Sequence, residues 1–105
     1  MPDIKDLKIK KLFQGIEGRY IHGNSMTLGE VIIPAGAVVQ EHSHPHEQIT
    51  FILEGELDMT IGGENVLLKP GMYYVIPSNV PHSGVSKQGC KAIDVFQPVR
   101  EDYRS

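Results

Sequence analysis

Tryptophan is absent from this chain of 105 residues, and cysteine occurs once. No apolar run is long enough to form a membrane-spanning helix or the core of a signal peptide. The lone Cys90 excludes an intramolecular disulfide, so nothing marks an oxidising compartment, and a single thiol after Gly89 is more often inert than reactive. With the polar opening "MPDIKDLKIK", the chain reads as cytoplasmic and without a membrane partner. Basic residues are also scarce where they would matter. Between Arg19 and Lys69 there is no other Lys or Arg, while seven acids fall in that interval. The net charge is −3, and no basic stripe is interleaved with aromatics, which argues against nucleic acid as a partner. The run Lys5, Lys8, Lys10, Lys11 reads as an exposed surface.

Helix signals are few as well. The longest interval without Gly or Pro is Asp3 to Gln14, with room for a short helix or a first strand. What the chain does have is eighteen glycines and prolines, placed between short apolar runs. From Met26 onward these runs are "MTLGEVII", "AVVQEH", "QITFIL", "LDMTI", "NVLL", "MYYVI" and "KAIDVF". Short strands at this spacing predict one all-β domain over residues 1–105, an antiparallel sandwich or barrel. Leu57, Met59 and Ile61 alternate with Glu56, Asp58 and Thr60, the period of a strand with one buried face. Gly62-Gly63 between two such runs predicts a tight hairpin.

Three of the five histidines lie in "EHSHPHEQ", residues 41–48. His42 and His44 are two apart on an expected strand, so both imidazoles should project to one side and could reach one ion. Pro45 interrupts the strand, which frees His46 from that parity. Gln48 opens the next strand with Thr50 and Ile52 on its side, and His82 follows the turn "PSNVP" as a third candidate ligand. A single histidine would more often be a surface or satisfied core residue; two at this spacing facing a barrel interior are harder to explain that way.

The segment "GAVVQEHSHPHEQITFILEG" resembles the first motif of the cupin superfamily, G-x5-H-x-H-x3-E-x6-G, through Gly36, His42, His44 and Gly55, with Gln48 in the glutamate position. "GMYYVIPSNVPHSGVS" resembles the second, G-x5-P-x-G-x2-H-x3-N, through Gly71, Pro77 and His82, with Asn79 and Ser86 departing from it. The resemblance implies the small jelly-roll-like cupin barrel, a double-stranded β-helix, around a divalent transition metal (nickel, zinc, iron, manganese or copper) held by His42, His44, Gln48 and His82. Asn79 is expected at a positive φ, which Asn tolerates. Gln48 leaves the ion's charge uncancelled, so metal should bind less tightly and act as a stronger Lewis acid than beside a glutamate.

The chain ends in "DVFQPVREDY", and together with "HSHPHEQ" this resembles a narrower group, cupins of the pectin-degradation KdgF type. The likeness implies linearisation of 4,5-unsaturated uronates from pectin or alginate to 5-keto-4-deoxyuronate. Asp94 would then transfer protons, Phe96 would pack on the sugar ring, and Arg100 would hold the substrate carboxylate, with Arg19 as second anion anchor. Alternatives are a cupin dioxygenase and a non-catalytic sugar-binding cupin. Exposed sheet edges predict a homodimer.

Overall fold

The computed structural model describes residues 1–104. Its strands are β1 (Lys10–Lys11), β2 (Glu17–His22), β3 (Thr27–Ile33), β4 (Val38–His42) and β5 (Glu47–Gly55), followed by β6 (Leu57–Ile61), β7 (Glu64–Leu68), β8 (Tyr73–Ile76), β9 (His82–Val85) and β10 (Cys90–Gln97). All pairings are antiparallel. One sheet runs β1-β2-β3-β10-β5-β8 and the other β4-β9-β6-β7, which is the double-sheet barrel the sequence predicts. Among the described residues no helix is long and apolar enough to cross a membrane.

The first stretch resolves into neither a helix nor a single strand. It forms 3-10 turns at Ile4–Asp6 and Phe13–Gly15 with the two-residue β1 between them. Two further strands lie where the sequence reading placed none: the polar "EGRYIH" is β2, and "HSGV" is β9.

Alternation fixes what faces inward. Along β6, Leu57, Met59 and Ile61 are buried, as expected. Gly62 and Gly63 close the β6–β7 hairpin with φ of +55° and +83°, the left-handed pair a two-residue turn needs, and Ile61 pairs with Glu64 across it. Ile52 and Ile76, both wholly buried, anchor the core with Val31, Ile33 and Leu68. Truncating Ile52 to Ala should cost about 2–5 kcal/mol.

The interior has two ends of different chemistry. In the β5–β10 register Ile52 faces Ala92, Thr50 faces Asp94, and Gln48 faces Phe96. Moving along this pair therefore leads from an apolar floor to a polar mouth. Burying Gln48 and Thr50 on a core face would be costly unless they are hydrogen-bonded, and both are.

Candidate metal centre and active site

β4 and β9 bring the first two histidines together. Between Val39 and His42 the register slips by one residue, a bulge on β4, after which His42 stands directly across from His82. Bulges re-aim side chains in this way. Their rings lie 4.3 Å apart between centroids. His44 arrives by a different route from the one expected. β4 ends at His42, so His44 lies in the loop beyond the strand, just before Pro45, which cannot donate to a ladder. Its ring still reaches the same place, 4.9 Å from that of His82, and ligand nitrogens of all three histidines lie within 4.8 Å of one another.

The hydrogen bonding fits a cation. Nδ1 of His42 meets the Gln40 carbonyl at 2.9 Å, Nδ1 of His44 the His46 carbonyl at 3.0 Å, and Nδ1 of His82 the Val80 carbonyl at 2.9 Å. A carbonyl only accepts, so each Nδ1 carries the proton and each Nε2 is left with a free lone pair, the tautomer a metal ligand needs. Nε2 of His82 is buried with no hydrogen-bond partner. Nε2 of His44 lies 3.0 Å from Gln48 Oε1, one acceptor facing another, because the Gln48 amide nitrogen donates to Thr50 Oγ1 at 2.9 Å. Two lone pairs aimed at each other and a third left orphaned are reconciled by a positive ion between them. Burial lowers the pKa of His44, aided by the Arg100 charge, and brings that of His82 down to about 4.

Beside the triad is a cavity of about 400 Å³. His42, Gln48, His82, Asp94, Phe96 and Arg100 all line it. Asp94 Oδ1 accepts from Thr50 Oγ1 at 2.8 Å, completing a series that runs from the Gln48 amide through the Thr50 hydroxyl to the carboxylate. Burial raises the Asp94 pKa to about 6, against the pull of the Thr50 hydrogen bond.

Arg100 is a wall of the cavity and not a surface residue of the tail; it is 7% exposed. Its guanidinium lies over the rings of Phe96 (4.7 Å) and Tyr103 (4.0 Å). Asp102 takes its Nε and Nη2 donors at 3.0 and 2.7 Å, which occupies one edge of the fork and leaves the Nη1 end for a ligand. Its backbone N–H donates to buried Thr27 Oγ1 at 2.9 Å, pinning the tail to β3.

Arg19 is set apart from this site. It points to the outside of the larger sheet, with Nε donating to the Leu7 carbonyl at 3.3 Å and Nη1 3.7 Å from Glu30, so it cannot serve as the second anion anchor. His46 stays outside the triad; its Nε2 is 3.3 Å from the Val99 carbonyl and its ring stands edge-on to Phe96. His22 meets Thr27 Oγ1 at 2.9 Å and belongs to the tail's anchorage. Asn79 has φ +64°, as expected of a residue in the motif's glycine position. Ser86 is buried and donates to the Glu56 carbonyl at 2.6 Å.

Two cavity residues escaped the sequence reading, Tyr20 and Tyr103, whose rings meet at 4.6 Å between centroids, tilted by 41°. Tyr20 lies flat on β2 and β3: a Cβ at Gly18 would come within 2.6 Å of it, and one at Gly29 within 2.5 Å. Burial raises the pKa of both phenols, so they stay protonated at neutral pH. Gly18 and Gly29, both inward-facing positions, were the available signal.

The fold and this histidine geometry define a cupin, and the Cupin domain model matches residues 29–96; the chain belongs to that family. Within it, the chain is similar to the pectin degradation protein KdgF of Dickeya dadantii strain 3937, at 37% identity over 70 residues, 65% of this chain and 64% of that one. The chain thus spans just under two-thirds of that relative's length. The solved structure of KdgF from Halomonas sp. superposes with a TM-score of 0.87 at 28% identity, over 93% of this chain and 92% of that one. An RmlC-like cupin from Shewanella frigidimarina NCIMB 400 gives 0.92 at 25% identity, over 98% and 94%.

Proposed function

We propose that this cupin opens the ring of 4,5-unsaturated uronate monomers to the linear 5-keto-4-deoxyuronate, with a divalent transition metal held by His42, His44, Gln48 and His82. One observation carries the reading: Asp94, Phe96 and Arg100, the residues of the "DVFQPVR" ending, line the same cavity as His42 and His82. The similarity to KdgF supports it.

The reaction is an isomerisation, so one proton leaves and one returns. Asp94 as carboxylate takes the proton from the hydroxyl on carbon 1, that carbon becomes an aldehyde, and the bond from carbon 1 to the ring oxygen breaks. The electron pair released makes an enolate across the ring oxygen, carbon 5 and carbon 4. Asp94, now protonated, returns its proton to carbon 4, and carbon 5 becomes the ketone. A pKa of about 6 suits a group that must act as base and then as acid near neutral pH. Thr50 holds the carboxylate in place through its hydroxyl. Arg100 binds the substrate carboxylate through its free Nη1 end, while Asp102 fixes the guanidinium plane. A bound metal supplies orientation and polarisation of sugar oxygens.

The test is incubation of the metal-loaded protein with unsaturated uronate monomers, following loss of ultraviolet absorbance from the double bond. Loss no faster than in buffer refutes the reading. Oxygen uptake with substrate would instead assign a dioxygenase, and binding without turnover a sugar-binding cupin.

A further inference from the structure

The cavity is larger than the proposed substrate. A bare uronate monomer, at the packing density of organic crystals and protein interiors, takes up roughly 200 Å³. The cavity holds about 400 Å³. Gln48 and Phe96 share one inward row of the larger sheet, and Thr50 and Asp94 share the next. The row below these is Gly18, Val31, Ala92 and Ile52, with no polar side chain. Buried Ile16, Ile33, Leu57 and Met59 join Val31 and Ala92 in lining the cavity. Space of this kind offers water no hydrogen-bond partner and is best filled by an apolar group. A donor stands over this floor. Tyr20 begins in the row of Asp94, with only Gly29 between them. Its ring lies down along β2, so that Oη would be the atom nearest a Cβ at Gly18, at 2.6 Å, one row deeper than Asp94. Among the described residues the Tyr20 hydroxyl takes part in no hydrogen bond, although a tyrosine turned away from solvent normally finds one.

We propose that this deep end is a subsite for an acetyl group, and that the substrate class is a 4,5-unsaturated uronate acetylated on the hydroxyl of carbon 2 or carbon 3. This rests on the uronate reading above and narrows it. An acetyl ester has the two features that the deep end can satisfy. Its methyl group packs on the apolar floor, and its carbonyl oxygen accepts from Tyr20 Oη. The hydroxyl on carbon 1 must be free for the ring to open, and carbon 4 carries the double bond, which leaves carbons 2 and 3. The acetyl adds roughly 50 Å³, well within the space that the bare sugar leaves.

Steady-state kinetics on the 2-O-acetyl, 3-O-acetyl and unsubstituted 4,5-unsaturated uronates test this, with the metal-loaded parent, Tyr20→Phe and Ala92→Val. The readout is the ratio of kcat/KM, acetylated over unsubstituted, within each protein, so that a general loss of activity cancels. In the parent the ratio should be at least about ten for one of the esters, mainly through KM, from one buried methyl group and one hydrogen bond. Tyr20→Phe keeps the ring on its glycines and should cut that ratio about five-fold. Ala92→Val fills part of the floor and should bring the ratio below about one, with circular dichroism verifying the fold. A parent that turns over the unsubstituted sugar at least as well as both esters, or a ratio unchanged in both variants, overturns the acetyl subsite and leaves the uronate reading standing. No turnover of any of the three sugars refutes both.

Discussion

Gln48→Glu changes one atom and should disturb two things in opposite directions. The amide nitrogen donates to Thr50 Oγ1, and that hydroxyl donates its only proton to Asp94. A carboxylate at position 48 has no proton to give, so one hydroxyl proton would face two acids. With contacts of 2.9 and 2.8 Å meeting at the Thr50 hydroxyl oxygen at roughly a tetrahedral angle, the carboxylates would sit roughly 4.6 Å apart. At an effective dielectric constant of about 20 they repel by about 3.6 kcal/mol. In chelator at pH 8 the variant should therefore melt at least about 5 °C below the parent. Below about pH 6 the deficit should shrink, because one acid can take up a proton and restore the missing donor. Metal should reverse the order: the added charge faces the ion, so the dissociation constant should fall by at least about ten-fold. Turnover should drop, since a less positive site polarises oxygen less and Asp94 is held protonated. The assays are thermal melting with and without chelator, metal titration, and the absorbance assay. Equal melting temperatures in chelator would refute the directional series, and equal or faster turnover would mean that the neutral ligand has no catalytic purpose.

His82→Ala should abolish stoichiometric metal binding by elemental analysis, whereas His46→Ala should keep it; the opposite pattern would displace the ligand set. Asp94→Asn should cut kcat by at least about a hundred-fold with metal content unchanged, because an amide cannot accept the hydroxyl proton. The same substitution should raise the melting temperature of the metal-free protein at pH 8, since a carboxyl whose folded pKa is raised to about 6 loses stability as pH rises through that value. The full shift corresponds to about 3 kcal/mol, and partial exposure with the retained Thr50 contact should leave about 1–2. Arg100→Ala should mainly raise KM, by about ten- to a hundred-fold, as expected for a charge-assisted contact made equally in ground and transition states. Arg100→Lys should recover part of that loss; unchanged KM in both would remove the anion anchor.

How much of this was legible depended on what kind of signal each residue carried. Period-two alternation placed Leu57, Met59 and Ile61 inside, and the same parity put Gln48, Thr50 and Ile52 on one face. Asp94 could not be assigned a direction by alternation, because both faces of β10 are largely apolar; only its pairing with Thr50 shows that it points inward. β2 and β9 were missed because "EGRYIH" and "HSGV" carry glycines and polar side chains, which weaken strand propensity where tertiary pairing supplies the stability. His44 was expected on the strand and reaches the triad from a loop, and the bulge that aligns His42 with His82 leaves no mark in the spacing. Arg19 looked available because charge counting cannot see Glu30 across the strand pair.

The seating of Tyr20 on two glycines makes the barrel's open end a matter of three positions, not one. Neither Gly18 nor Gly29 has a positive φ, so the backbone would accept other residues there; it is the ring that forbids them. Divergence at this end is thus expected to proceed in concert. A lineage that loses the Tyr20 ring releases positions 18 and 29 to grow side chains, and one that first enlarges either glycine must lift the ring into the space above Tyr103. Each route refills the chamber differently. The volume open to a ligand is set by a sequence triplet spread over residues 18 to 29, none of it within the two histidine motifs.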